Sequence, residues 1–91
     1  MERIQAKHMN EHEALDLIRN ALCEVAPQKA GYFARVAPET ELRDLGIDSV
    51  RTMEMVGNIE DRLARTFEQD AIVAARTVGD VIALILTGPL R

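Results

Sequence analysis

The stretch Asp44-Leu45-Gly46-Ile47-Asp48-Ser49-Val50 joins a long aperiodic segment to the most regular apolar pattern in the chain. From Val50 onward, Val50, Met53, Val56, Ile59 and Leu63 recur three or four residues apart. That spacing predicts a helix over about Ser49–Thr66 with those five side chains as its buried stripe. Aspartate and serine at the start of such a helix are ordinary, because both side chains bond free N–H groups of the first turn. The same N–H groups, with the positive end of the helix dipole, also stabilise a phosphate. A serine presented there after a glycine turn therefore has two readings, a cap or the bearer of a phosphodiester. Gly57, inside the helix, costs roughly 1 kcal/mol relative to alanine and requires a reason, such as close approach of another helix or of a partner.

Upstream, Leu15, Ile18, Leu22 and Val25 recur at helical spacing over about Asn10–Val25. Asn10 is suited to cap this helix, with Glu11 and Glu13 in its first turn, and Ala26-Pro27 ends it. Between Pro27 and Ile47 the period is lost and Gly31, Pro38 and Gly46 interrupt the chain, which reads as a long loop. Loops of this length are usually pinned or functional. Tyr32, Phe33, Val36, Leu42 and Leu45 are the expected pins, with a short helical turn around Glu39–Arg43.

Downstream, Asp70 is placed to cap a short helix through Ala71–Ala74. Thr77 with Asp80 three residues on forms a capping box, Val78, Val81, Ile82 and Ile85 come next, and Gly88-Pro89 closes the last helix. The expected fold is all-α: a four-helix bundle of three main helices and one short one, with a long loop between the first and second. No strand pattern or internal repeat interrupts it.

The chain has 91 residues, enough for one domain with a modest core. Its only aromatics are Tyr32, Phe33 and Phe67, so aliphatic side chains must fill that core. No apolar run has the length of a membrane span, and the polar first residues do not form a secretory signal. Cys23 is the single cysteine, which rules out an internal disulfide and fits a reducing cytoplasm. His8-Met9 has the form of a cloning junction, so residues 1–8 are read as a remnant or a disordered N-terminus and residues 9–91 as the domain. The net charge of −4 opposes nucleic-acid binding. Between Glu39 and Asp61 seven acids face two bases, which concentrates the negative charge where a basic partner surface is steered.

No catalytic residue is expected. The only histidines, His8 and His12, lie far along the chain from Ser49, so the serine lacks a candidate base. No metal site is expected either. Asp44 and Asp48 have the spacing of alternate calcium ligands, but the loop's glycine is misplaced and its closing position is Met55 rather than glutamate.

The seven-residue motif resembles the attachment motif of acyl carrier proteins, D-L-G-x-D-S-L, and the pattern of that family runs without a gap from Asp44 to Ile85. Over the wider span from about Glu13 to Leu86, the first helix matches in placement more than in identity. The resemblance implies that a phosphopantetheinyl transferase esterifies Ser49 with 4′-phosphopantetheine from coenzyme A. The arm then carries acyl groups as thioesters to partner enzymes of fatty-acid, polyketide or specialised acyl-transfer pathways. It implies that Asp48 helps position the transferase and its magnesium ion, and that Asp44, Glu54, Gly57, Glu60 and Asp61 form the recognition face for enzymes with basic docking surfaces. It also implies that Ala71–Ala75 flanks a shelter for acyl chains. The protein is then a cytoplasmic, non-enzymatic, monomeric carrier, and a chain ending at Arg91 reads as free-standing or as a trimmed domain. A peptidyl or aminoacyl carrier domain and an unmodified helical adaptor are the alternatives. Arg51, Arg62, Gly57 and the apolar Ala71–Ala75 segment depart from the fatty-acid pattern and favour a specialised pathway.

Overall fold

A computed structural model describes residues 9–87. Residues 1–8 and the Gly88-Pro89 stop lie outside the described residues. The helices are α1 (Glu11–Val25), α2 (Ala30–Phe33), α3 (Ser49–Leu63), α4 (Gln69–Ala74) and α5 (Val78–Thr87). Single 3₁₀ turns occupy Pro27–Lys29 and Leu42–Leu45. The all-α bundle of three long helices and the short α4 is as the sequence predicts, with α2 adding one turn inside the loop. No strand is formed among the described residues.

α1 is the central element and packs against both α3 and α5. Its start is a full capping box: Asn10 Oδ1 accepts the Glu13 N–H at 2.8 Å, and Glu13 Oε1 accepts that of Asn10 at 3.1 Å. Ala14, Leu15, Leu17, Ile18, Ala21 and Leu22 are all buried, a wider face than the predicted stripe, while Val25 is half-buried. The extra width arises because α1 has neighbours on two sides. Val78, Val81, Ile82 and Ile85 of α5 complete the core with Phe67. The α5 capping box forms as predicted: Thr77 Oγ1 accepts the Asp80 N–H at 3.1 Å, and Asp80 Oδ2 accepts the N–H of Arg76 at 2.8 Å and of Thr77 at 3.1 Å. Those donors hold the Asp80 carboxyl below its usual range, the Arg76 N–H contributing most.

The structure corrects four details of the sequence reading. The buried stripe of α3 is Met55, Val56, Ile59 and Leu63, whereas Val50 is 66% and Met53 50% exposed. Positions 52, 55, 56, 59 and 63 form one helical face, and Thr52 at its first position disguises it as polar. α3 stops at Leu63 rather than Thr66, because Ala64 turns left-handed at φ 54°. Ala64 N–H then donates to Asp61 O and Arg65 N–H to Glu60 O, a Schellman closure with alanine where glycine is usual. The turn expected at Glu39–Arg43 falls at Leu42–Leu45, since residues 38–42 spend their backbone groups elsewhere. Gly79 N–H donates to Pro38 O (2.7 Å), Val78 N–H to Thr40 O (2.9 Å) and Leu42 N–H to Arg76 O (2.8 Å). Finally, Glu68 rather than Asp70 takes the N-cap position of α4, without a side-chain capping bond to the helix, and Asp70 lies in the first turn.

The long loop is pinned from several sides. Phe33, Val36 and Leu45 are buried and Leu42 is half-buried. Arg19 of α1 donates to Val36 O through Nη2 at 2.7 Å and Nε at 3.1 Å. Arg65 similarly ties the segment after α3 to α5, donating to the carbonyls of Leu84 (2.8 Å) and Ile85 (2.9 Å) and lying over the Phe67 ring.

Candidate functional site

The segment 44–51 is built as a turn leading into a helix. Gly46 comes after the 3₁₀ turn with φ +73°, a left-handed conformation suited to glycine. Ile47 is half-buried and anchors the connection to the core. Asp48, extended, is the N-cap of α3: its Oδ1 accepts the Arg51 N–H at 2.8 Å, and its carbonyl accepts the Thr52 hydroxyl at 2.9 Å. Ser49 is therefore the first residue of the helix, not its cap, and Asp48, Ser49 and Val50 are all exposed. Capping by Asp48 releases the serine hydroxyl from that duty and leaves it at the positive end of a 15-residue helix. Of the two side chains at this helix start, it is Asp48 that caps. Ser49 is also the only serine in the chain.

This geometry fits a serine-linked phosphodiester. The acceptor oxygen is exposed, and first-turn N–H groups and the helix dipole stabilise an anion at that end. A neighbouring cation, Arg51, lies on the same turn.

Arg51 has further duties. Its Nε donates to Val25 O at 3.1 Å, tying the start of α3 to the carbonyl end of α1, and its Nη1 lies 3.8 Å from Asp48 Oδ2. Lys29, to which the sequence pattern gives no prominence, lies on the other side of the turn. Its Nζ donates to Leu45 O at 2.7 Å and Gly46 O at 3.4 Å, and sits 5.2 Å and 5.7 Å from the ring centres of Tyr32 and Phe33. Tyr32, an expected loop pin, is 38% exposed but its hydroxyl donates to Asp44 O at 2.8 Å. No periodicity marks these residues. Their only sequence signal is a lysine beside the two loop aromatics.

The expected recognition residues divide by their surroundings. Val50, Glu54, Gly57 and Asp61, at i, i+4, i+7 and i+11, share the outward face of α3. Glu54 and Asp61 are exposed, as is Asp44 at the far side of the turn. Glu60 is half-buried and its Oε2 accepts the Phe67 N–H at 2.9 Å, so it braces the α3–α4 connection. Around Gly57 nothing lies within 4 Å of where a Cβ would sit, so no helix approaches it. It forms the floor of an open depression of about 520 Å³ bordered by Glu24, Val25, Arg51, Glu54 and Asp61. A second depression, of about 370 Å³, lies between Glu41–Arg43 and Ala75–Thr77, at the end of α4. α4 itself buries no residue fully, and Val73 is 75% exposed.

His12 lies in the first turn of α1, 3.6 Å from Asp16. Among the described residues no helix is long and apolar enough to cross a membrane.

Comparison with known proteins agrees with this geometry. The phosphopantetheine attachment site family matches residues 16–85. Acyl carrier protein 3 of Ralstonia nicotianae is 32% identical over 77 residues, covering 85% of this chain and 86% of that protein. The acyl carrier protein of Saccharopolyspora erythraea is 33% identical over 79 residues, covering 86% of this chain and 80% of its own. That of Exiguobacterium sibiricum is 46% identical over 44 residues, so the chain spans 56% of that relative's length. No solved structure matches. By its family match, its two relatives along most of its length and its all-α fold, the chain belongs to the phosphopantetheine-attachment family of acyl carrier proteins, whose covalent cofactor is 4′-phosphopantetheine.

Proposed function

We propose that Ser49 accepts the phosphopantetheine arm and that the protein is a carrier rather than a catalyst, serving a specialised acyl pathway in the cytoplasm. The observation that carries this reading is the exposed Ser49 hydroxyl at the first position of α3, released from capping by Asp48. When bound, the arm supplies a thiol that holds acyl groups as thioesters. The chain's own part is to present the serine oxygen, stabilise the phosphodiester with the start of α3 and offer a surface to the enzymes that act on the cargo.

Asp48 has two proposed tasks, capping α3 and meeting the transferase with its magnesium ion. Asp44, Glu54 and Asp61 are the proposed contacts for basic partner surfaces, and Gly57 leaves space for a protruding partner side chain. Glu60 contributes to this face mainly by fixing the connection from α3 to α4. Arg51 and Arg62 edge the same helix with positive charge, and Arg62 is exposed. A partner with a continuous basic surface therefore meets repulsion as well as attraction, which favours dedicated enzymes. The depression beside the end of α4 is the proposed resting place for cargo, and its size lies in the range of small-ligand sites. The protein is proposed to act as a monomer.

Two measurements test these readings. After treatment with coenzyme A, magnesium and a phosphopantetheinyl transferase, the tryptic peptide Asp44–Arg51, whose only hydroxyl is Ser49, is expected to carry the arm. Recovery of that peptide unmodified alongside another modified peptide defeats the assignment. Titration of the loaded protein against a general fatty-acid ketosynthase is expected to show weak engagement, and full-strength engagement defeats the specialised-pathway reading.

A further inference from the structure

Ser49 lies between two tethers that come from one segment of the chain. Lys29 and Tyr32 hold the carbonyls of Asp44, Leu45 and Gly46 before it, at 2.7–3.4 Å. After it, Arg51 is held by the Val25 carbonyl at 3.1 Å. The stretch from Val25 to Tyr32 thus spans the whole turn from Asp44 to Arg51. Its cation is in turn held in place by the faces of Tyr32 and Phe33, and the Phe33 ring is wholly buried. Besides these tethers the turn is fixed by the buried Leu45, by the half-buried Leu42 and Ile47, and by the Leu42 N–H bond to Arg76 O at 2.8 Å. It is a 3₁₀ turn with a left-handed glycine after it, and its residues apart from Leu45, Ile47 and Leu42 are exposed.

We infer that Lys29, assisted by Tyr32, is a positioning residue for modification of Ser49: it holds the preceding turn in the form that a transferase accepts. The inference rests on the assignment of Ser49 as the attachment site. A lysine suits this task because one ammonium has three donors and reaches two successive carbonyls, which a neutral side chain of similar length cannot do. Methionine in its place keeps the apolar stem against the rings and removes both bonds. The turn then samples several conformations of which only a fraction is accepted, and apparent affinity falls by that fraction while the chemical step, once the turn is bound, is unchanged.

The test compares the full-length wild type with Lys29→Met, Lys29→Arg, Tyr32→Phe, Arg65→Met and Ser49→Ala in transferase kinetics, below every variant's melting temperature as monitored by circular dichroism. Lys29→Met is expected to raise KM for the carrier by about tenfold with kcat within about twofold, since the competent fraction rather than the step changes. Lys29→Arg is expected to restore most of the loss, and Tyr32→Phe to give a smaller rise in KM. Arg65→Met, which loosens the segment against α5 away from this turn, is expected to lower the melting temperature without moving KM. A wild-type KM in Lys29→Met, with only its melting temperature lowered, overturns the inference. So does a rise in KM in Arg65→Met equal to that in Lys29→Met. If Lys29→Met fails to fold, Tyr32→Phe decides in the same way. A wild type that is not modified, or a Ser49→Ala variant that is, overturns the Ser49 assignment itself and the inference with it. A modified wild type beside an unaffected Lys29→Met overturns the positioning role alone.

Discussion

At the residue scale, Asp48 and Gly46 decide how Ser49 is presented. Asp48 carries the cap, so the adjacent hydroxyl stays at the helix start with no backbone bond of its own to keep. Gly46 has φ +73°, and a Cβ there would meet Lys29 Nζ. Gly46→Ala is therefore expected to cost about 1–2 kcal/mol from the left-handed backbone, plus the displaced lysine bonds, read as a lowered urea midpoint at unchanged slope. Asp80 provides a pH test of a different cap. Its folded carboxyl is held below the ordinary 3.8 by the Arg76 and Thr77 N–H groups. Its contribution to stability is complete above that ordinary value and is lost as pH falls through the lowered folded value. The melting-temperature gap between wild type and Asp80→Asn is expected to be constant near neutrality and to narrow in acid. A gap that widens in acid contradicts the assignment.

At the element scale, α3 shows how local pattern and tertiary packing share control. The helix start is legible because capping is a matter of one residue and its next three neighbours, as at Asp48 and at Thr77 with Asp80, although the same signal at Asp70 misplaces the cap of α4 by two residues. The buried face is less legible. Met53 and Met55 are equally apolar, and Thr52 hides the true stripe, so only the position of α1 selects Met55 for the core and leaves Val50 and Met53 outside. The role of Lys29 is illegible for a stronger reason, since its partners are 16 and 17 residues away and the approach of the two segments is made by the fold. Gly57 separates stability from recognition within this element. With nothing within 4 Å of a Cβ, Gly57→Ala is expected to stabilise the protein by up to about 1 kcal/mol through helix propensity. If the open floor receives a partner side chain, the same substitution weakens enzyme docking, measured as a higher dissociation constant from the cognate enzyme. Lower stability in thermal unfolding contradicts the open-space reading.

At the scale of the whole molecule, charge and fold are complementary. Cationic side chains reaching backbone carbonyls brace the bundle: Arg19 and Lys29 hold the long loop, Arg51 ties α3 to the end of α1, and Arg65 ties the segment after α3 to α5. The carboxylates of Asp44, Glu54 and Asp61 are exposed, on the turn before Ser49 and along the outward face of α3. An acidic surface of this kind speeds encounter with basic enzymes and is weakened by salt. Composition shows where the acids are concentrated, but not that Glu60 is spent on the Phe67 N–H or that Arg51 is spent on α1. These assignments depend on which segments the fold brings together. The central claim remains a single oxygen atom on this surface, and intact mass tests it most directly. Wild type and Ser49→Ala are incubated with coenzyme A, magnesium and a promiscuous phosphopantetheinyl transferase, starting from protein shown to be folded and unmodified. A gain of one phosphopantetheine by the wild type and none by Ser49→Ala is the predicted result. No gain by the wild type, or an equal gain by both, contradicts it.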